Sequence, residues 1–244
     1  MLASPIFANM PRIVKSGSCF ILQPQNSELE FSAQHFMTDY WRNRPGYDTI
    51  DGGRGGSCMI QLDDKRAILR RYHRGGFARN LLSDQYLWLG KLMTRPWREW
   101  QVLQRARRAG LPVPEPIAAC ACRSGLWYRA ALMTVYLEDT EMLTRRLRRE
   151  PLPSDCWQRL GLLLKQMHTA GVRHADLNSD NILIDSQDRF YLVDFDKARI
   201  MNRIGEWQWR PLYRLQRSIE KRNRIQRLHY DANDWQSMMD GYQA

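Results

Sequence analysis

"HADLNSDN", residues 174–181, sets a histidine, a carboxylate and a terminal amide in fixed order directly before the apolar run "ILI". A second apolar run, "RFYLVDF" (189–195), follows the turn "SQD" (186–188), so the pair reads as two short strands joined in a hairpin. In an antiparallel hairpin the residue before the first strand lies beside the residue that ends the second. Asn181 and Asp194 therefore converge. An amide oxygen and a carboxylate meeting at one point are hard ligands, which suits Mg²⁺ shared with a nucleotide. Asp176 stands five residues before Asn181, outside that pair, and is free to accept a hydroxyl proton. His174 reads as a buttress of the loop.

Working outward, "SDCWQRLGLLLKQMHTAG" (154–171) has Leu160, Leu163, Leu164 and Met167 at helical spacing, a Ser or Asp cap and a terminal Gly171. Before it, "LPVPEPIAACACRSGLWYRAALMTVYL" (111–137) reads as two strands joined at "RSG". "PWREWQVLQRARRAG" is a helix opened by Pro96 and closed by Gly110, and "NLLSDQYLWLGKLM" (80–93) carries a helical pattern of its own. "DGGRGGSCMIQL" (51–62) sets four glycines beside a strand-like run. Asp63 and Asp64 then turn into the strand "RAILRRY" (66–72), and "SCFILQ" (18–23) is a further strand candidate. From Lys197 onward the chain is helical and heavily basic. The order predicts an α+β, two-lobed plan with a cleft: a strand-rich lobe over 1–134, a connector over 135–141 and a helix-rich lobe over 142–244.

Composition bounds the partners. With 37 Lys and Arg against 26 Asp and Glu, the formal charge is +11, which favours an anionic partner: a phosphorylated substrate, an anionic membrane or nucleic acid. No nucleic-acid motif supports the last. Five cysteines without a paired CxxC framework suggest neither a zinc site nor a disulfide scaffold. Cys120 and Cys122 would face one side of a strand as packing residues. The start "MLASPIFANMPR" lacks the pattern of a secretory signal, and no apolar run reaches the length of a membrane span. A cytosolic protein with peripheral membrane contact is expected.

"HADLNSDN" with "VDFD" resembles the catalytic and metal-binding loops of the protein-kinase-like fold, patterns H-R-D-x-x-x-x-N and D-F-G. The resemblance puts Asp176 on the catalytic base and Asn181 and Asp194 on the metal ligands. Asp196 departs from the pattern, standing where protein kinases have glycine. On the same register Gly53, Arg54, Gly55 and Gly56 form the loop over the phosphates, and Arg70 of "AILR" replaces the usual lysine. Glu99 becomes its partner, Val135 to Leu137 offer hinge hydrogen bonds, and Glu141 lies near the ribose. Arginine keeps the charge but brings a fork in place of a point charge.

Only 50 residues follow Asp194, and no A-P-E sequence occurs among them, so a peptide substrate is not expected. "LRRYHRGGFARNLLSDQYLWLG", "TRPWREWQVL", "GLPVPEPIAA" and "VDFDKARI" make the chain similar, over roughly residues 40 to 235, to the lipopolysaccharide kinases of Gram-negative bacteria. That resemblance implies a two-lobed protein-kinase-like fold with an antiparallel-sheet N-lobe and a shortened helical C-lobe. It also implies ATP and Mg²⁺, and transfer of the γ-phosphoryl group to the 4-hydroxyl of 3-deoxy-D-manno-octulosonic acid (Kdo) on a lipid A precursor. The place implied is the cytoplasmic face of the inner membrane. Rival readings are a kinase for another small polar or sugar acceptor, and a non-catalytic basic pseudokinase scaffold. The anionic glycolipid fits the arginine cluster at Arg66, Arg70, Arg71, Arg74 and Arg79 and the basic tail from Arg199 to Arg227. In that tail Leu212, Leu215, Ile219 and Leu228 form an apolar stripe behind Trp207 and Trp209. The stripe serves either an anionic membrane or an ordinary helix packed inward.

Overall fold

The structure, a computed structural model, describes residues 11–50, 56–72, 84–203 and 205–244. The chain divides into two compact units, residues 1–100 with 115–136 and residues 101–114 with 137–244. Residues 101–114 group with the second unit although they precede two strands of the first.

The first unit is built on an antiparallel sheet. Its strands are β1 (Arg12–Ser16), β2 (Cys19–Gln23), β3 (Asp48–Thr49), β4 (Ser57–Leu62), β5 (Lys65–Arg71), β6 (Tyr86–Leu87), β7 (Pro116–Ser124) and β8 (Trp127–Val135). They run in the order β1-β2-β7-β8-β5-β4-β3, with β6 also on β8. Period-2 alternation produces this sheet: in β4 the buried positions are Cys58, Ile60 and Leu62, and in β5 they are Ala67 and Leu69. The inward residues meet Ile21, Met133, Phe31, Phe36 and Trp41, the last from the short α1 (Thr38–Trp41), in one core. Asp63 turns β4 into β5 at φ +45°, and Ser124 pairs with Trp127 across Gly125-Leu126, the turn read from "RSG".

Two sequence expectations fail in this unit. The helical pattern over 80–93 is, among its described residues, β6 and a 3₁₀ turn at Lys91–Met93. Pairing of Tyr86 and Leu87 with β8, and Gly90 at φ +103°, outweigh the local spacing. The absence of a disulfide fails too, because Cys19 is bonded to Cys122 across the β2–β7 ladder. Those residues are 103 apart in sequence, so no local spacing announces them. Cys120 and Cys122 do share a face, their sulfurs 3.5 Å apart. The buried Cys120 thiol is pushed up to about 12 by loss of solvation.

α2 (Arg95–Arg108) ends as the sequence predicts: Gly110 sits at φ +74°, its N–H on Arg107 O and the Leu111 N–H on Ala106 O. This is the double hydrogen bond of a Schellman cap.

The second unit carries α3 (Leu143–Arg149), α4 (Ser154–Thr169), α5 (Trp209–Gln226) and α6 (Ala232–Gln243). With them are β9 (Thr140–Met142), β10 (Val172–Arg173), β11 (Ile182–Asp185), β12 (Phe190–Leu192) and β13 (Arg199–Ile200). The N-cap of α4 is Pro153, with no side-chain cap, and not the Ser or Asp expected. The Ser154 hydroxyl is instead hydrogen-bonded to Ser237 of α6, 2.9 Å away. Leu160, Leu163, Leu164 and Met167 are buried as their spacing demands.

α4 and α6 touch backbone to backbone. A Cβ on Gly161 would stand 1.9 Å from Met238 O, and one on Gly241 would stand 2.1 Å from Gln158 O. Hydrogen forms the only side chain small enough for either place.

Candidate active site

The hairpin expected at 182–192 is present: β11 pairs with β12 in antiparallel register, Ile182 opposite Leu192. The ladder continues one step, the Val193 N–H donating to Asn181 O at 3.0 Å, which sets Asn181 beside the residue preceding Asp194. Asp194 takes φ +62°, a left-handed conformation that aspartate tolerates better than most residues.

The loop before β11 is held by its own amides. Asn181 Nδ2 and Asn178 Nδ2 both donate to Asp176 O at 2.9 Å, and Asn178 Oδ1 accepts from the Asp180 N–H. Donation through Nδ2 commits the nitrogen of the Asn181 amide and not its oxygen. That oxygen with the Asp194 carboxylate is a hard-oxygen pair, so these residues fit a Mg²⁺ ion.

His174 is fully buried against Phe195, its ring Nε2 donating to Val193 O at 2.9 Å. Burial pushes its imidazole down, so it buttresses the loop as a neutral group.

Asp176 has partners the sequence did not reveal. Lys197 donates to Oδ2 at 3.0 Å, and Arg214, from α5, donates to Oδ1. Burial raises the Asp176 carboxyl, but the two cations outweigh it and hold the group below the ordinary carboxylate value. α5 reaches the same loop twice more. The Ser218 hydroxyl accepts from the Ser179 N–H at 3.1 Å, and the Arg222 guanidinium donates to Asp180. Residues 214, 218 and 222 are four apart, hence on one helix face. That spacing was the available signal for α5, although nothing local said which loop it faces.

In the first unit Arg70 and Glu99 meet as expected, Nη2 lying 2.5 Å from both carboxylate oxygens. The carboxylate is only 3% exposed. Tyr72 completes the cluster, donating its hydroxyl to Glu99 Oε2 at 2.5 Å. Burial and then the Glu99 charge push that phenol well above its usual value, so it stays a donor. Its signal in sequence was the i, i+2 relation to Arg70, which puts both on one strand face.

Other expected positions are less straightforward. Gly53, Arg54 and Gly55 lie outside the described residues, as do Arg74 and Arg79. Gly56 accepts the Arg71 N–H at 2.7 Å. The Val135 N–H is committed to Glu115 O at 2.8 Å, so Val135 cannot donate it as a hinge group. Leu137 O takes the Thr140 hydroxyl at 2.9 Å. Glu141 pairs opposite Ile184 and is gripped by both Arg149 nitrogens at 2.8 and 2.5 Å. It lines a cavity of about 350 Å³ with Arg146, Arg149 and Asp185.

Comparison with known proteins identifies the family. The model of the lipopolysaccharide kinase (Kdo/WaaP) family matches residues 41–242. A "3-deoxy-D-manno-octulosonic acid kinase" of Vibrio parahaemolyticus is 39% identical over 200 residues, 82% of this chain and 84% of that protein. One of Actinobacillus succinogenes is 31% identical over 238 residues, covering 94% and 98%. Among solved structures, "WaaP in complex with acyl carrier protein" superposes with a TM-score of 0.56 at 17% identity, over 84% of this chain and 80% of that one.

Proposed function

Because the chain belongs to the lipopolysaccharide kinase (Kdo/WaaP) family, and is a kinase of protein-kinase-like fold, we propose that it phosphorylates the 4-hydroxyl of Kdo on a lipid A precursor, with ATP as donor. The carrying observation is one hydrogen-bonded frame in which the Asn181 amide holds the Asp176 backbone and Asn181 pairs with Val193, the residue before Asp194. Asp176 orients the acceptor hydroxyl and takes its proton as the new O–P bond forms and the bond between the γ-phosphorus and the bridging oxygen breaks to release ADP. Lys197 and Arg214 hold that carboxylate below the ordinary carboxylate value, so it stays ionised and able to accept the proton.

Asn181 and Asp194 would hold Mg²⁺, which when bound neutralises charge on the nucleotide phosphates. Arg70, fixed by Glu99 and Tyr72, is the cation of its strand and of a kind that suits nucleotide phosphate. Peripheral contact with the cytoplasmic side of the inner membrane completes the reading and rests on the basic face of α5.

The test is ATP turnover with and without a Kdo–lipid A precursor, the position of the new phosphate read by NMR. Acceptor-dependent ADP release with phosphate on O4 supports the reading. Turnover on an aminoglycoside or another core sugar, and none on Kdo, overturns it. Asp176→Asn should lower turnover by about 10²–10⁴-fold while leaving ATP binding nearly intact.

A further inference from the structure

Both oxygens of the Asp176 carboxylate are occupied, one by Lys197 and the other by Arg214. The carboxylate itself is 13% exposed, whereas the Lys197 and Arg214 side chains are 56% and 53% exposed. A hydroxyl that reaches Asp176 must therefore come in beside two cations that face solvent.

α5 has other anchors than Arg214, and Lys197 lies outside it. Pro211, Leu212, Leu215 and Ile219 bury its inner face, and Ser218 and Arg222 tie it to the loop. Arginine keeps donors to spare after one contact, because its guanidinium carries five N–H groups in a planar fork suited to carboxylates.

Kdo is an acid sugar: its carboxyl carbon is attached to C2 and the accepting hydroxyl to C4, a 1,3 relation on one ring. An acceptor of this class brings an anion to the same place as its reacting hydroxyl. We propose that Arg214 and Lys197 form the subsite for the acceptor's carboxylate and so decide which sugars are phosphorylated. This rests on the reading of Asp176 as the group that receives the acceptor hydroxyl. An acid sugar satisfies the two cations that a neutral acceptor would leave competing for the base. The neutral sugar loses the charge-assisted hydrogen bonds that position it.

The test uses the full chain, ATP and two soluble acceptors: the methyl glycoside of Kdo and its C1 carboxamide. The wild-type protein should favour the carboxylate by about 10–100-fold in kcat/KM. In Arg214→Met and Lys197→Met that ratio should collapse toward one, through a raised KM for the carboxylate acceptor and an unchanged KM for ATP. Arg214→Lys should restore part of it, and Arg159→Met, exposed on α4, should leave it intact.

A ratio that survives in both Met variants overturns the subsite, even if overall activity falls. A raised KM for ATP with the ratio kept assigns the cations to the nucleotide phosphates instead. Phosphorylation of both acceptors with equal efficiency by the wild-type protein overturns the subsite but leaves the Kdo reading standing. Phosphorylation of neither overturns the Kdo reading and the subsite with it.

Discussion

Arg70 reaches Glu99 through Nη2, which lies 2.5 Å from both carboxylate oxygens. A lysine ammonium could take the same place as a point charge. Arg70→Lys is therefore expected to keep more activity and stability than Arg70→Ala. The alanine takes the cation away from a Glu99 carboxylate that is 3% exposed, at a cost of about 3 kcal/mol. Urea unfolding together with the KM for ATP checks both parts, and equal losses in the two variants would mean that the planar fork matters after all. At this scale Asp176, Asn181 and Asp194 were legible because one local hairpin carries them. Lys197 and Arg214 were not, because side chains 21 and 38 residues away give no sign of which loop they will meet. Tyr72 went unread since a tyrosine after a strand usually signals only packing.

Helices and strands with strong periodicity were read correctly from sequence; the failures came where a distant partner decided the local form. β6 exists because β8 is there to pair with it, and α4, capped by Pro153, has its Ser154 hydroxyl on Ser237 of α6. The α4–α6 contact gives two predictions. Gly161→Ala gains about 1 kcal/mol of helix propensity but drives a methyl group into the Met238 carbonyl, and overpacking of that kind costs about 3 kcal/mol or more. A net loss of about 2 kcal/mol in chemical denaturation is expected, against almost none for Leu162→Ala on the exposed face. His168, fully buried in α4 with its Nδ1 at 2.8 Å from the Tyr242 hydroxyl, is pushed down to about 4 by burial and, to a smaller degree, by His174. The native state then binds fewer protons than the unfolded chain between pH 6.5 and 4. This contribution is intact above about pH 6.5 and fades as the pH falls toward 4, reaching about 3 kcal/mol. Unfolding midpoints at pH 7.5 and 5 should differ less in His168→Gln, and an unchanged difference would place the effect on other groups.

For the molecule as a whole, the basic tail separates into faces. Leu212, Leu215, Ile219 and Leu228 are all buried, so the apolar stripe read from sequence packs inward. Arg214 and Arg222 serve the catalytic loop. Left to the solvent are Arg217, Lys221 and Arg224 with Trp209, Tyr213 and Ile225, a basic and partly aromatic surface. Among the described residues no helix is long and apolar enough to cross a membrane. Neutralising Arg217, Lys221 and Arg224 together should weaken binding to anionic vesicles by about two decades, at about 1 kcal/mol per charge, and more so at low salt. Flotation with and without anionic lipid measures this, and unaltered binding would leave those residues a solvated helix face.

The bond between Cys19 and Cys122 makes the chain, as a covalent graph, a ring with two tails, residues 1–18 and 123–244. Cutting a ring once opens it without dividing it. A single protease nick anywhere between residues 19 and 122 should therefore leave one band on a non-reducing gel and two after dithiothreitol, whereas a nick in either tail should give two bands on both.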